Sequence, residues 1–317
     1  MKKKLDKANN IYFYTILFFL LIITSASSET RFKKDLVKIS KLNSFVDNEG
    51  NPYQLDKNID KDKTIILIYT HGQWGGDRKL NGCNRRWSKI PPAIYQLDGT
   101  KIKGLTIKTY QLCSGVRGWT QNEQDKFWET YNKNNQDVNS VLNLKDKNGI
   151  LLIDKYKDNQ KHKVMKLKID EFKKKGFNNI VLSGHSAGAN SSFVLKSNYP
   201  KLINGVISLH LGFAGKFAKA KNPDQGWINW RNYKKSLINW SQIGEVILFT
   251  HDKDWADTKK TLSFLTEFEN IKFFDLSDTQ CKKKKLLADY HGIALTKCFA
   301  DEDPRSKEII KYLNKIY

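Results

Sequence analysis

Residues 179–188 read NIVLSGHSAG, an apolar run that ends in a Gly-x-Ser-x-Gly pentapeptide centred on Ser186. The next residues, 189–195, read ANSSFVL and are typical of a helix. A Gly-x-Ser-x-Gly between a strand and a helix requires a turn too tight for side chains at its flanks. The turn also pushes its central residue into a strained conformation that exposes the hydroxyl. The pattern therefore predicts that Ser186 is a nucleophile.

The pentapeptide alone is a weak signal, because the chain contains 19 glycines and short glycine motifs arise by chance. Its context strengthens it. A helix-like segment at 164–172 leads to Gly176, a helix stop, just before the apolar run begins. The expected order is therefore helix, strand, turn and helix.

Apolar runs and helix-like segments alternate from residue 63 onward. Strands are predicted at 63–69, 105–112, 179–183, 205–209, 245–250 and 270–274, and helices at 121–134, 158–175, 258–268 and 306–317. Short strands around a turn at 47–51 are expected within 42–55. This alternation predicts an α/β fold with a mostly parallel sheet. The segment 211–240 is longer than an ordinary connection, and we expect it to form a small lid over the site.

Residues 1–28 have the layout of a secretory signal peptide, with lysines, an apolar stretch at 11–23 and small residues at 24–28. Cleavage is expected near Ala26 or Ser28, and an uncleaved amino-terminal anchor is the alternative. Either interpretation predicts a periplasmic or secreted protein. Residues 29–317 are predicted to form a single domain.

Four cysteines, an even number, suit an oxidising compartment. Three connectivities are possible, and we expect the pairs Cys83–Cys113 and Cys281–Cys298. A zinc site is disfavoured because the chain has no C-x-x-C spacing.

Lys and Arg number 55 against 33 Asp and Glu, giving a formal net charge of +22. Most lysines are scattered among Asn and Asp, and we see no RNA-binding signature or helix-turn-helix, so a solvated surface and no nucleic-acid partner are predicted. Membrane association is expected only if the leader stays uncleaved. The sequence leaves the oligomeric state open.

In an open α/β sheet, ligands bind at the carboxyl ends of the strands. The loop after the first buried strand begins His71-Gly72-Gln73, and Ser186 follows a later strand. Asp252 and Asp254 follow the strand at 245–250, and His291 lies beyond the last strand. A serine, an acid and a histidine thus occur in that order, each beyond a strand.

With these motifs, the sequence resembles the α/β-hydrolase superfamily over about residues 63–317. The resemblance implies the α/β-hydrolase fold, with a mostly parallel twisted sheet and helices on both faces. It also implies carboxylic-ester hydrolysis through a Ser-His-Asp triad and an acyl-enzyme. Ser186 would attack the carbonyl, His291 would move the proton, and the amides of Gln73 and Ala187 would form the oxyanion hole. The resemblance implies no metal and no organic cofactor.

The acid is left open between Asp254, at the usual position a few residues past the strand, and Asp252, nearer the strand end. Asp257 is expected to begin the next helix. The remaining histidines receive structural interpretations: a brace for the loop at His71, a spacer at His185, strand caps at His210 and His251, and a polar helix position at His162.

The aromatic residues suggest the kind of substrate. All eight tryptophans lie in segments that follow a strand or in the predicted lid, where they suit an apolar acyl chain, an aromatic ester or a sugar ring. Trp74, Trp119 and Trp255 are the pocket candidates, and a small-molecule or saccharide ester is the expected substrate. Two alternatives remain: a serine peptidase or amidase on the same scaffold, and a non-catalytic hydrolase-like binding protein.

Overall fold

The computed structural model describes residues 45–47, 51–54, 57–72, 89–113, 119–215, 217–219, 225–280 and 290–317. The predicted leader, Gln73, Trp74, Cys83 and Cys281 lie outside these residues. Neither Cys113 nor Cys298 is a free thiol, and the predicted pairing stays a prediction. Within the described residues, every helix is too short or too polar to cross a membrane.

An eight-stranded sheet forms the centre of the molecule, in the order β1-β4-β2-β5-β6-β7-β8 with β3 paired to β4. The pairings from β4 through β8 are parallel, whereas β1 and β3 run antiparallel to β4. The predicted mostly parallel sheet is confirmed. The strands are β1 (Phe45–Val46), β2 (Thr64–Thr70), β3 (Lys101–Ile102), β4 (Leu105–Leu112), β5 (Asn179–Ser186), β6 (Gly205–Leu211), β7 (Val246–Thr250) and β8 (Ile271–Asp275).

Helices cover both faces of this sheet. The α-helices are α1 (Pro92–Tyr95), α2 (Gln121–Lys133), α3 (Asn139–Leu142), α4 (Leu152–Lys155), α5 (Lys157–Lys174), α6 (Ala187–Asn198), α7 (Gln225–Ser236), α8 (Lys297–Glu302) and α9 (Glu308–Ile316). Helices α5 and α6 contribute to one hydrophobic core, and α1, α8 and α9 contribute to the other. The two-faced arrangement predicted from the sequence is therefore present.

Strand β2 shows why the central strands read as continuous apolar runs. All seven of its residues are buried. Ile66 and Ile68 belong to one core, while Ile65 and Leu67 belong to the other. Successive side chains of a strand point to opposite faces, so a strand covered on both sides must be apolar throughout.

A bulge interrupts β6 where it passes the end of β5. His185 pairs with Leu209, but the next residue of β5, Ser186, pairs with Leu211. His210 is thus an extra residue in β6, and it adopts a left-handed backbone with φ 52°. As a result, Leu209 faces one core and Leu211 the other, although they are two residues apart.

The predicted helix at 258–268 is wrong. The structure has turns followed by a short 3-10 helix, Ser263–Glu267. Asp257 does not cap a helix: its buried carboxylate accepts hydrogen bonds from Arg231 and from the backbone N–H of Phe213. This tertiary pairing replaces the local helix start that the sequence favoured.

The predicted lid segment, 211–240, contains α7, which the structure describes together with the residues up to Gly215 and a 3-10 turn at Phe217–Lys219. Trp230 of α7 packs against Phe127 and Tyr131 of α2 in a third hydrophobic cluster. The segment is therefore attached to the body of the protein through aromatic side chains.

Candidate active site

Ser186 occupies a sharp turn between β5 and α6, with φ 55° and ψ −122°. The flanking glycines are required by close backbone approach. A Cβ at Gly188 would lie 2.0 Å from the carbonyl oxygen of Thr70, and one at Gly184 would lie 2.4 Å from the backbone of Gly188. Such contacts cannot be accommodated without moving the backbone, so the elbow predicted from the pentapeptide is built as expected.

Ala187 is the first residue of α6, directly after Ser186. The first amides of a helix have no intrahelical partner and carry the positive end of its dipole. The predicted amide donor at Ala187 thus lies at a helix N-terminus beside the serine, and its role in an oxyanion hole stays a prediction. Gln73, the second predicted donor, lies outside the described residues.

The loop that leads to Gln73 passes close to the serine. A Cβ at Gly72 would lie 3.0 Å from the Cβ of Ser186. His71 braces this loop as predicted, because its Nδ1 lies 2.7 Å from the carbonyl oxygen of Gly72. The buried ammonium of Lys161 also donates to the carbonyl oxygen of His71, at 3.1 Å.

The structure brings Asp254, not Asp252, to His291. Nδ1 of His291 lies 2.8 Å from Oδ1 and 2.9 Å from Oδ2 of Asp254. Since a carboxylate only accepts, Nδ1 of His291 carries the proton and Nε2 is left as the basic atom. Asp252 is exposed and pairs with His251, with its Oδ1 2.9 Å from Nδ1 of that ring.

The Asp254 carboxylate is buried and fully engaged. Besides His291, it accepts from the backbone N–H of Ala256 at 2.8 Å and from Nδ1 of His210 at 2.9 Å. Burial by itself raises the pKa of Asp254, but the hydrogen bonds from His210 and His291 outweigh it and hold the pKa well below its usual range. The group is therefore a stable anion inside the protein.

The serine hydroxyl and the His291 ring border the same small space above Gly212. A Cβ at Gly212 would lie 3.2 Å from Oγ of Ser186 and 3.7 Å from Cε1 of His291. The absence of a side chain at Gly212 leaves this space open. Ser186, Asp254 and His291, which are far apart in the sequence, thus meet at the carboxyl ends of β5, β6 and β7.

His185 and His210, for which the sequence predicts a spacer and a strand cap, belong to this cluster. Nε2 of His185 donates to the carbonyl oxygen of His291 at 2.7 Å. Burial, together with the nearby His291 and His210, lowers the pKa of His185 well below its usual value, so this ring stays neutral. His210 contacts Asp254 on one side and the backbone N–H of Ala294 on the other.

A sequence signal for His210 existed. It is a polar residue near the carboxyl end of a buried strand, β6, which neighbours the serine strand. Because ligands bind at the carboxyl ends of the strands in such a sheet, a polar residue at this end of β6 is a candidate site residue. The bulge that turns its side chain toward Asp254 leaves no such mark in the sequence.

His210, Asp254 and His291 are also the described residues whose spacing could hold a metal ion, with ligand atoms within 4.8 Å of one another. Most of their polar atoms, however, already take part in hydrogen bonds. The Nδ1 atoms of both rings meet carboxylate oxygens, and Nε2 of His210 accepts from Ala294.

An aromatic pocket of about 320 Å³ opens beside α2 and α7. Its lining includes Gly215, three residues after Gly212, and four aromatic side chains: Trp128, Tyr131, Trp227 and Trp230. A pocket of this size and composition suits an apolar or flat group of a small molecule.

The predicted pocket residues are distributed differently. Trp255 lies against the ring of His291, with the two ring centroids 4.2 Å apart. Trp119 instead packs on Phe127 and donates its indole N–H to the carbonyl oxygen of Leu152. Trp74 lies outside the described residues.

Several solved structures are similar to this chain at low sequence identity. Est1E from Butyrivibrio proteoclasticus is 12% identical with a TM-score of 0.43, and covers 82% of this chain and 88% of its own. The Paleococcus ferrophilus monoacylglycerol lipase is 12% identical with a TM-score of 0.45, covering 81% and 96%. The esterase Est2 from Thermogutta terrifontis is 12% identical with a TM-score of 0.42, covering 83% and 86%.

No protein-family model matches the chain, and neither does any curated protein sequence. The fold assignment therefore depends on the chain's own geometry. The order of the parallel strands, the elbow at Ser186 and the hydrogen-bonded pair Asp254–His291 are features of the α/β-hydrolase fold. This chain has the α/β-hydrolase fold that its sequence predicted.

Proposed function

We propose that this protein is an exported serine hydrolase that cleaves carboxylic esters, with Ser186 as nucleophile, His291 as base and Asp254 as the acid. The observation that carries the proposal is the meeting of these groups. A strained serine and a histidine already bonded to a buried carboxylate border the same space above Gly212. Serine hydrolysis needs these three groups in that relation.

In the first half of the reaction, Nε2 of His291 takes the hydroxyl proton of Ser186 as Oγ bonds to the ester carbonyl carbon. The carbonyl π electrons move to oxygen, and the backbone N–H of Ala187 stabilises this oxyanion. When the carbonyl re-forms, the bond to the alcohol oxygen breaks. His291 then gives its proton to the departing alcohol and leaves an acyl group on Ser186.

In the second half, His291 removes a proton from a water molecule, which attacks the acyl carbon. Collapse of this intermediate breaks the bond to Oγ, and His291 returns the proton to Ser186. The carboxylic acid leaves and the free enzyme is restored. Asp254 remains ionised throughout and stabilises the positive charge that His291 carries in both halves.

For the substrate, we propose a small-molecule or saccharide ester whose apolar or flat part occupies the aromatic pocket beside Gly215. Support comes from the pocket's four aromatic rings and from Gly215 in its lining, which follows Gly212 by three residues in the sequence. Export is proposed on the basis of the leader-like segment 1–28 alone.

Turnover of matched substrates tests the proposal. We expect the wild-type protein to hydrolyse p-nitrophenyl acetate and the Ser186→Ala variant to lose all but a trace of that activity. Aminoacyl p-nitroanilides should be turned over far more slowly. Faster anilide turnover would favour the peptidase alternative, and equal ester turnover by Ser186→Ala would reject the serine mechanism.

A further inference from the structure

His210 is placed against Asp254 by an uncommon backbone feature. It is the extra residue of the β6 bulge, with φ 52° in the left-handed region. Residues other than glycine rarely adopt this conformation, and bulges next to active sites serve to redirect a side chain. Here, the redirected imidazole reaches the carboxylate that also holds His291.

The hydrogen bonds of His210 fix which of its ring nitrogens carries the proton. Its Nε2 faces a backbone N–H, that of Ala294 at 3.2 Å, and can only accept there. Nδ1 must then carry the proton, and it donates to Oδ2 of Asp254 at 2.9 Å. The ring is fully buried, and these two contacts together select the neutral tautomer with the proton on Nδ1.

We propose that His210 is a second histidine that hydrogen-bonds to the catalytic acid, Asp254. As a neutral imidazole, it shares the Asp254 carboxylate with His291. It thereby limits how strongly that carboxylate holds the proton on His291. The inference rests on the proposed function. Because His210 touches the acid and not the reacting atoms, it is a positioning residue. It also joins Asp254 to the backbone of Ala294, three residues beyond His291.

The electrostatic consequence has a definite sign. A carboxylate that accepts a second hydrogen bond has part of its negative charge offset by that donor, so it attracts the His291 imidazolium less strongly. If the His210 bond is removed, Asp254 should hold the proton on His291 more tightly, and the base should become free only at higher pH. The acid limb of the kcat/KM profile should therefore move upward.

The other titratable groups around His291 constrain this interpretation. His185 faces it from the carboxyl end of β5, and its depressed pKa keeps it neutral. His251, after β7, stacks on Tyr290, and Asp252 pairs with it. Trp255 covers the ring and does not titrate. The side chains of all these residues are kept when His210 alone is substituted.

Two substitutions separate the two contacts of His210. In His210→Asn, the amide nitrogen can take the place of Nδ1 and donate to Asp254, and asparagine tolerates the left-handed backbone. In His210→Gln, the longer amide reaches the place of Nε2 and can accept from Ala294, but it leaves Asp254 without the second donor. The two variants thus form a matched pair.

We expect His210→Gln to move the acid limb of kcat/KM upward by about 0.5 to 1 pH unit, as the loss of one hydrogen bond implies. Its kcat should fall about tenfold at the optimum. His210→Asn should keep the wild-type limb and lose less of kcat. An unmoved limb in both variants, or the same shift in both, would overturn the proposal.

A second measurement does not depend on activity. In the Ser186→Ala variant, the nitrogen and proton resonances of the 15N-labelled His210 ring should show a proton on Nδ1 and none on Nε2 between pH 5 and 8. A proton on Nε2, or titration of this ring within that range, would overturn the proposal. If Ser186 proved not to be the nucleophile, the proposed function would fail while this resonance could still be read.

Discussion

The side chain of His185 and the backbone of His291 are joined by a hydrogen bond of 2.7 Å from Nε2 to the carbonyl oxygen. The residue before the nucleophile therefore anchors the segment that carries the base. Together with His210, which accepts from the N–H of Ala294, it fixes the 3-10 helix Tyr290–Leu295 at two backbone positions.

Replacing His185 should therefore impair catalysis without removing any group that touches substrate. We expect His185→Ala to lower kcat about tenfold, the order of one lost hydrogen bond. His185→Gln, whose amide can donate from the place of Nε2, should recover much of the loss. Steady-state kinetics at the pH optimum decide this, and equal activity in His185→Ala and wild type would contradict the anchoring role.

Asp254 and Asp252 offer a direct comparison of two acids on one loop. Asp254→Asn should lower kcat by about 10⁴, because the neutral amide no longer holds His291 in its required tautomer. Asp252→Asn should stay within about twofold of wild type, since Asp252 is exposed and contacts His251 instead. Reversal of this ranking would mean that Asp252 is the functional acid.

Gly212 tests the open space above the nucleophile. In Gly212→Ala, the new methyl group would lie 3.2 Å from Oγ of Ser186 and near the His291 ring. We expect esters to react about ten to a hundred times more slowly, because the reacting carbonyl must occupy this space. Thermal unfolding should change by only a few degrees, and a variant with wild-type kcat/KM would show that the substrate approaches from elsewhere.

Trp227 tests the aromatic pocket. Its side chain is partly exposed at the pocket wall, and a Cβ at Gly215 would lie 3.4 Å from its ring. Trp227→Ala should raise KM for esters with a bulky apolar or aromatic group by about tenfold while leaving p-nitrophenyl acetate nearly unaffected. The same change in KM for both substrates would mean that the pocket does not select the substrate.

His162 links stability to pH. Burial lowers its pKa to about 3, with a further contribution from the nearby Lys234. The unfolded chain binds a proton near pH 6.5 but the folded ring does not, so its contribution to stability is complete above that pH and is lost as pH falls toward 3. Between pH 7.5 and 5, this one group should cost about 2 kcal/mol of unfolding free energy.

Urea unfolding of wild type and His162→Leu at the two pH values measures this contribution. All other titratable groups are the same in both proteins, so the difference between the two pH dependences isolates His162. We expect the variant to lose about 2 kcal/mol less than wild type on acidification. Parallel losses in both proteins would indicate that His162 is protonated in the folded state.

Much of this architecture was readable from the sequence because local and global signals agree there. The strands at 105–112 and 205–209 and the helix at 121–134 follow directly from their apolar patterns. The elbow at Ser186 follows from two glycines whose Cβ atoms would collide with backbone. The strands and the helix are determined by local hydrophobic periodicity, and the elbow by its two glycines.

Other features depend on contacts between distant segments. The choice of Asp254 over Asp252 follows from which carboxylate the loop after β7 turns inward. The role of His210 follows from a bulge that is visible only when β5 and β6 are paired. The helix predicted after Asp257 does not form because of another contact between distant segments: Arg231, 26 residues earlier, binds the Asp257 carboxylate.

The most direct test of the central claim is covalent labelling of the nucleophile. The folded protein is treated with a fluorophosphonate, and the adduct is located by peptide mass spectrometry. The account predicts one adduct, on Ser186, which is absent from Ser186→Ala and forms much more slowly in His291→Ala. An unlabelled folded protein, or a label on another residue, would contradict it.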